Sequence, residues 1–279
     1  MEKQLKPVEL FLALGLAATL SACASPSTNT GGGGEAANET TSTPASTEVT
    51  SAEGGEGGEG GEGGEGGAGS GNADVDYMTT LGLMKGHLMV AEELMAQKKY
   101  EQAEPHIGHP VEELYGTVEG ELSQRKVPQF KSTLNELHSL SKSAPAKPET
   151  TTAFKASEQA IDKAIAAIPA SQRQSPEFVL GVINQMLKTA GEEYTAAIAN
   201  NKFVELVEYQ DSRGFVIYAE DLYQNIAQQM SQERPENHQK ITASLEELKT
   251  AWPSVNPPAT PVKTPSEVNG LISTIELQS

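Results

Sequence analysis

From Asp74 onward, apolar residues recur every three or four positions, and that spacing restricts the chain to helices. Leu81, Met84, Leu88, Ala91, Leu94 and Met95 make the first stripe. Val111, Leu114, Tyr115, Val118 and Leu122 make the second. Pro128 is then expected in the first turn of a third helix, which carries Phe130, Leu134, Leu137 and Leu140. Phe154, Ala160, Ile161, Ile165 and Ile168 form a fourth, closed by Pro169. The pattern then restarts. Ser175-Pro176-Glu177 opens a helix with Val179, Val182, Ile183, Met186 and Leu187. The next holds Phe203, Leu206, Tyr209, Phe215, Tyr218, Leu222 and Ile226. Ile241, Leu245, Leu248 and Trp252 follow, and Val268, Leu271, Ile272 and Ile275 finish the chain. Each stripe must be buried against a neighbour. The expected fold is all-α: an antiparallel helical bundle built as two tandem four-helix bundles, residues 73–170 and 171–279. The halves resemble each other, since Tyr100 to Tyr115 spans fifteen positions, as does Phe203 to Tyr218.

The residues ahead of this region read differently. Lys3 and Lys6 precede an apolar run of eleven residues, Leu10 to Leu20. That is too short to span a bilayer, which takes ~20 residues, and suits a signal peptide covering residues 1–22. Leu20-Ser21-Ala22-Cys23 resembles the lipobox of bacterial lipoproteins, which implies cleavage before Cys23 and its acylation. Cys23 is the only cysteine, so no intramolecular disulfide can form. The acyl chains would hold the protein on a lipid bilayer at ~0.8 kcal/mol per buried methylene. By the same analogy, Ala24 rather than an acid after the cysteine favours the outer membrane of the bacterial cell envelope. Residues 23–72 are mostly Gly, Ser, Thr, Ala and Glu, with Glu-Gly-Gly repeating at Glu53, Glu56, Glu59, Glu62 and Glu65. Such a linker has nothing to bury and is expected to stay disordered, reaching about 35–42 Å.

The net charge of −18 repels phosphates, which argues against nucleic acid as a partner, and it attracts cations. The segment from Glu104 to Gly116 gathers His106, His109, Glu112 and Glu113 beside Pro105 and Pro110. His109 and Glu112 stand at i and i+3, a spacing that places an imidazole and a carboxylate on one helical face. If the chain reverses near Lys98, His87 lies eleven residues before the turn and His109 eleven after, at about one height in an antiparallel pair. His87, His106, His109, Glu112 and Glu113 are therefore candidate ligands for iron, zinc or copper. Tyr209, Asp211, Arg213 and Tyr218 are candidates to line a polar pocket between the bundles, with a surface Asp–Arg ion pair as the plainer alternative. His138 and His238 are expected on solvent faces. The chain lacks a nucleophile elbow, a His-Glu-x-x-His motif and a phosphate-cradling glycine loop, so enzymatic activity is not expected.

Gly108-His109-Pro-Val-Glu112 resembles the Gly-x-His-x-x-Glu motif of the imelysin-like family of periplasmic proteins, some of which serve iron uptake. The His-x-x-Glu core matches, while the glycine adjoins the histidine instead of standing two before it. The resemblance implies metal-linked binding in iron acquisition or homeostasis. A second reading stays open: Ala91–Ala103 looks locally like a tetratricopeptide hairpin, which implies a scaffold lipoprotein that holds a peptide or protein partner in the envelope, without metal. No 34-residue period recurs to extend that likeness.

Overall fold

The computed structural model describes residues 69–279; the signal peptide, Cys23 and most of the linker lie outside the described residues. The fold is an all-α antiparallel bundle. Its helices are α1 (Ala73–Ala96), α2 (Tyr100–His109), α3 (Tyr115–Gln124), α4 (Lys131–Ser143), α5 (Pro148–Ile165) and the single-turn α6 (Ala170–Arg173). They continue as α7 (Pro176–Ala196), α8 (Leu206–Gln224), the short α9 (Ala227–Glu233), α10 (Pro235–Lys249) and α11 (Pro265–Glu276). A π-helical turn, Pro110–Leu114, joins α2 to α3, so the three segments make one interrupted rod.

Local chemistry explains the ends. Helices α5, α7, α10 and α11 begin with proline at the first or second position, where a missing N–H costs nothing. Asn72 caps α1 by accepting from the N–H groups of Asp74 and Val75, and Thr264 with Glu267 forms a capping box on α11. The α1–α2 reversal falls at Lys98, in the left-handed region at φ 60°. There Lys98 N–H reaches Met95 O and Lys99 N–H reaches Leu94 O, closing the last turn of α1.

Several expected boundaries move, and Ile168, Ile226 and Trp252 lie just past the ends of α5, α8 and α10. Pro128 lies ahead of α4, because Lys126 (φ 59°) ends α3 in the same way as Lys98 ends α1 and residues 127–130 run without helix. Phe130 N–H donates to Tyr115 Oη, and the two rings meet edge to face at 5.1 Å, which holds that connection down. Phe203 belongs to a small antiparallel hairpin, Ile198–Ala199 with Lys202–Phe203, turned by Asn200 and Asn201, both at positive φ.

Helix α1 packs on α2, α5, α7 and α8, while α4 joins α2 to α5. In the second half α7 packs on α8 and α11, and α10 on α11 and α8. One hydrophobic cluster runs through both halves, from Leu81, Met84 and Leu88 to Ile183, Phe215 and Ile275. Helix α1 is therefore buried nearly all round rather than along one stripe. At its middle, α1 crosses α8 where Gly86 meets Gly214. A Cβ on Gly86 would stand 3.0 Å from the Gly214 carbonyl carbon, and one on Gly214 would be 2.9 Å from that of Gly86. No side chain fits there, and the backbones meet directly.

Candidate metal centre

The glycine crossing sets the position of the next residues along each helix. His87 follows Gly86 on α1, and Asp211 precedes Gly214 by one turn on α8. The imidazole Nδ1 of His87 lies 2.6 Å from Asp211 Oδ1, with both side chains fully buried. His106, from the middle of α2, puts its own Nδ1 2.6 Å from that same oxygen. His109, at the end of α2, turns Nδ1 toward the other oxygen, 3.3 Å from Asp211 Oδ2. One buried carboxylate thus faces three imidazoles. The rings of His87 and His109 meet edge to face at 4.9 Å, and Phe215 closes on His87 at the same distance.

Burial alone would push the Asp211 carboxyl upward. The charges of His87 and His106, with hydrogen bonds from His106 and His109, overcome that and hold it well below the usual carboxylate range. It is an ionised carboxylate in an apolar interior. For His109, burial works to lower the imidazole, but Asp211's hydrogen bond and charge outweigh it and the net shift is upward. The two oxygens of Asp211 are not equivalent. Oδ1 is shared between two imidazoles at 2.6 Å, whereas Oδ2 meets His109 Nδ1 more loosely, at 3.3 Å. That longer contact leaves the Oδ2 side of the carboxylate the less tightly held of the two.

The donor set fits a transition metal. Three imidazoles and a carboxylate suit zinc, iron or copper, and one ligand atom from each of His87, His106, His109 and Asp211 falls within 4.8 Å of the others. Tetrahedral ligands on ~2.1 Å bonds stand about 3.4 Å apart, so side-chain shifts of about an ångström are needed to bring all four onto one ion.

The other residues singled out from sequence are placed as follows. Glu113 Oε1 lies 3.8 Å from His109 Nε2, at the mostly buried rim of the cluster. Glu112 is directed away and instead faces His138, Nδ1 to Oε1 3.6 Å. The cause is the π turn. Pro110 has no N–H to return to the His106 carbonyl, the helix widens, and more than four residues complete a turn. The i,i+3 alignment of His109 with Glu112 is lost, and i+4 takes its place. His138 is buried rather than solvent-facing, with Nε2 2.6 Å from Glu104 Oε1. Tyr209, Asp211, Arg213 and Tyr218 reach different partners. Tyr209 Oη donates to Ser254 O, Arg213 pairs with Glu93 across to α1, and the Tyr218 ring packs beside Gly82. Asp211 belongs with the histidines, and forms no pair with Arg213. Burial pushes the Tyr209 and Tyr218 phenols upward, so both stay neutral. Gln210, which sequence reading passed over, accepts from His106 Nε2–H at 2.9 Å and donates to Val255 O at 3.1 Å.

The fold and the site together define a helical-bundle protein with a buried histidine–aspartate cluster between its halves. Residues 169–279 match the family model of the iron permease-associated 4-helix bundle domain. No curated protein and no solved structure gives a significant match. The matched segment spans α6 to α11 and supplies Gln210 and Asp211, while all three imidazoles come from the residues before it. Over that segment the chain is similar to a helical-bundle family with iron links.

Proposed function

We propose that the protein binds a transition-metal cation, iron in its cellular setting, through His87, His106, His109 and Asp211, and that it does so as a lipoprotein held on the cell envelope by acylated Cys23. The observation that carries the metal reading is the convergence of three imidazoles and one carboxylate, a ligand atom from each of His87, His106, His109 and Asp211 lying within 4.8 Å of the others in the interior. The similarity of residues 169–279 to an iron permease-associated domain supports iron as the cargo and an envelope iron system as the setting. The resemblance of the His109 segment to imelysin-like proteins points the same way, although here Asp211 takes the carboxylate role that the motif gives to Glu112. The anchor rests on Leu20-Ser21-Ala22-Cys23; among the described residues no helix is long and apolar enough to cross a membrane.

The test is anaerobic titration of the purified protein with Fe(II) and Co(II), alongside His109→Ala and Asp211→Asn. Wild type should take up one ion per chain, and each variant should lose at least 100-fold in affinity. Wild-type protein that binds neither ion sinks the metal reading, and binding that both variants leave intact removes this site. Fatty-acid labelling that survives Cys23→Ala would overturn the anchor.

A further inference from the structure

We infer that Gln210 is a positioning residue: it commits His106 to meet a metal through Nδ1 alone, and it makes the loop from Trp252 to Asn256 a working part of the site. The inference rests on the metal reading above.

The assignment follows from donors and acceptors. A backbone carbonyl only accepts, so the Gln210 atom 3.1 Å from Val255 O must be the amide nitrogen. The other terminal atom is then the amide oxygen, and it faces His106 Nε2 at 2.9 Å. An oxygen there accepts, so Nε2 must carry the proton. The remaining nitrogen, Nδ1, points at Asp211 Oδ1 from 2.6 Å. Two lone pairs cannot approach that closely without a proton between them, and a bound metal would take that proton's place on Nδ1 with the two atoms moved apart. The outer hydrogen bond of a ligating histidine fixes which nitrogen binds and how the ring is aimed. Gln210 is itself almost wholly buried, and so is Val255, which shields the chain of bonds from competing water.

The loop does more than hold Gln210. Trp252 Nε1–H donates to Ser212 Oγ at 2.8 Å, and Tyr209 Oη donates to Ser254 O at 2.8 Å. Of the four consecutive residues Tyr209 to Ser212, three bond this loop and the fourth, Asp211, faces the imidazoles. Asn256 extends the contact to the α1–α2 reversal, donating to Gln97 Oε1 at 3.1 Å and accepting from Lys99 Nζ. The loop therefore clamps the turn of α8 that presents the carboxylate, and it braces the hairpin that presents the histidines.

The experiment uses the full chain and Co(II) as probe, with affinity read by chelator competition, together with ring 1H–15N correlation of the Zn(II)-bound protein to assign histidine tautomers. In wild type, His106 should show a proton on Nε2 and metal on Nδ1. Gln210→Met removes the acceptor and should weaken Co(II) binding 10–100-fold. Gln210→Glu keeps an oxygen facing His106 but loses the donor to Val255 O, so it should recover only part of that loss. Wild-type affinity in Gln210→Met, or metal on His106 Nε2 in wild type, overturns the inference while leaving the metal site standing. If Gln210→Met does not fold, the wild-type tautomer and the Gln210→Glu affinity decide. A wild-type chain that binds no Co(II) instead removes the underlying reading.

Discussion

Gly214→Ala tests whether the backbone crossing builds the site. On helix propensity alone the change should stabilise, since alanine is favoured over glycine inside a helix by ~1 kcal/mol. The structure argues the reverse. The new Cβ would fall 2.9 Å from the Gly86 carbonyl carbon and 2.8 Å from Val90 Cγ2, and closer still to the carbonyl oxygen. Ordinary carbon contacts need about 3.5 Å, so α1 and α8 must part by roughly 0.6–1 Å. Overpacking of this kind costs ~1–3 kcal/mol, which leaves a net loss of about 0–2 kcal/mol after the propensity gain. The same movement carries His87, next to Gly86, away from Asp211. Their 2.6 Å contact would open past ~3.2 Å, beyond a sound hydrogen bond. Metal affinity should fall about 10–100-fold, as it does when a ligand loses its support. Urea denaturation and Co(II) competition read the two effects. Gly120→Ala is the control: it lies in α3 with nothing within 4 Å of a new Cβ, and should gain ~0.5–1 kcal/mol with unchanged metal binding. A Gly214→Ala protein that gains stability like this control and holds Co(II) like wild type would refute the argument.

Two further outcomes concern the scaffold. Lys98→Gly relieves an L-residue held at φ 60° and should raise stability by up to ~1 kcal/mol, seen as a higher midpoint in thermal unfolding with metal binding unchanged; a lower midpoint would contradict it. Asp74, 2.5 Å from Arg125 and accepting from Gln172 at 2.9 Å, has its carboxyl lowered by these hydrogen bonds, Gln172 first and then Arg125. A folded-state value below the unfolded one adds stability that is fully present above about pH 4 and is lost as pH falls through the folded value. Asp74→Asn should therefore cost at most ~1 kcal/mol at neutral pH, and its midpoint should converge on wild type in acid. A gap that persists at pH 2 would contradict that account.

Periodicity carried the architecture because each helix leaves an apolar trace every three or four residues, whichever neighbour it meets. It also carried the pairing of His87 with His109, since equal distances from a reversal at Lys98 bring antiparallel rods to one height, and their rings lie 4.9 Å apart. Local departures from regular geometry were not legible. Lys98 and Lys126 adopt a conformation for which glycine is the usual signal, so their identities gave no warning. Pro110 was visible as a breaker, but whether it kinks the helix or widens it into a π turn depends on what packs around it. That choice exchanged Glu112 for Glu113 at the rim of the cluster. His138 looked solvent-facing because the carboxylate it meets, Glu104, lies 34 positions away in sequence.

Asp211 is the instructive case. Its neighbours in sequence, Tyr209 and Arg213, suggested a pocket of their own, yet on a helix buried all round successive side chains leave in different directions. Tyr209 and Ser212 go to the Trp252 loop, Arg213 to Glu93, and Asp211 to α1 and α2. The segment that resembles the iron permease-associated domain thus contributes a carboxylate and its brace, and no imidazole. A buried anion with three absent partners is unstable by several kcal/mol, so on this geometry the matched segment alone would not keep Asp211 ionised and enclosed. The cluster exists because the two halves share one core at the Gly86–Gly214 crossing. Whatever parts α1 from α8 there separates His87 from Asp211.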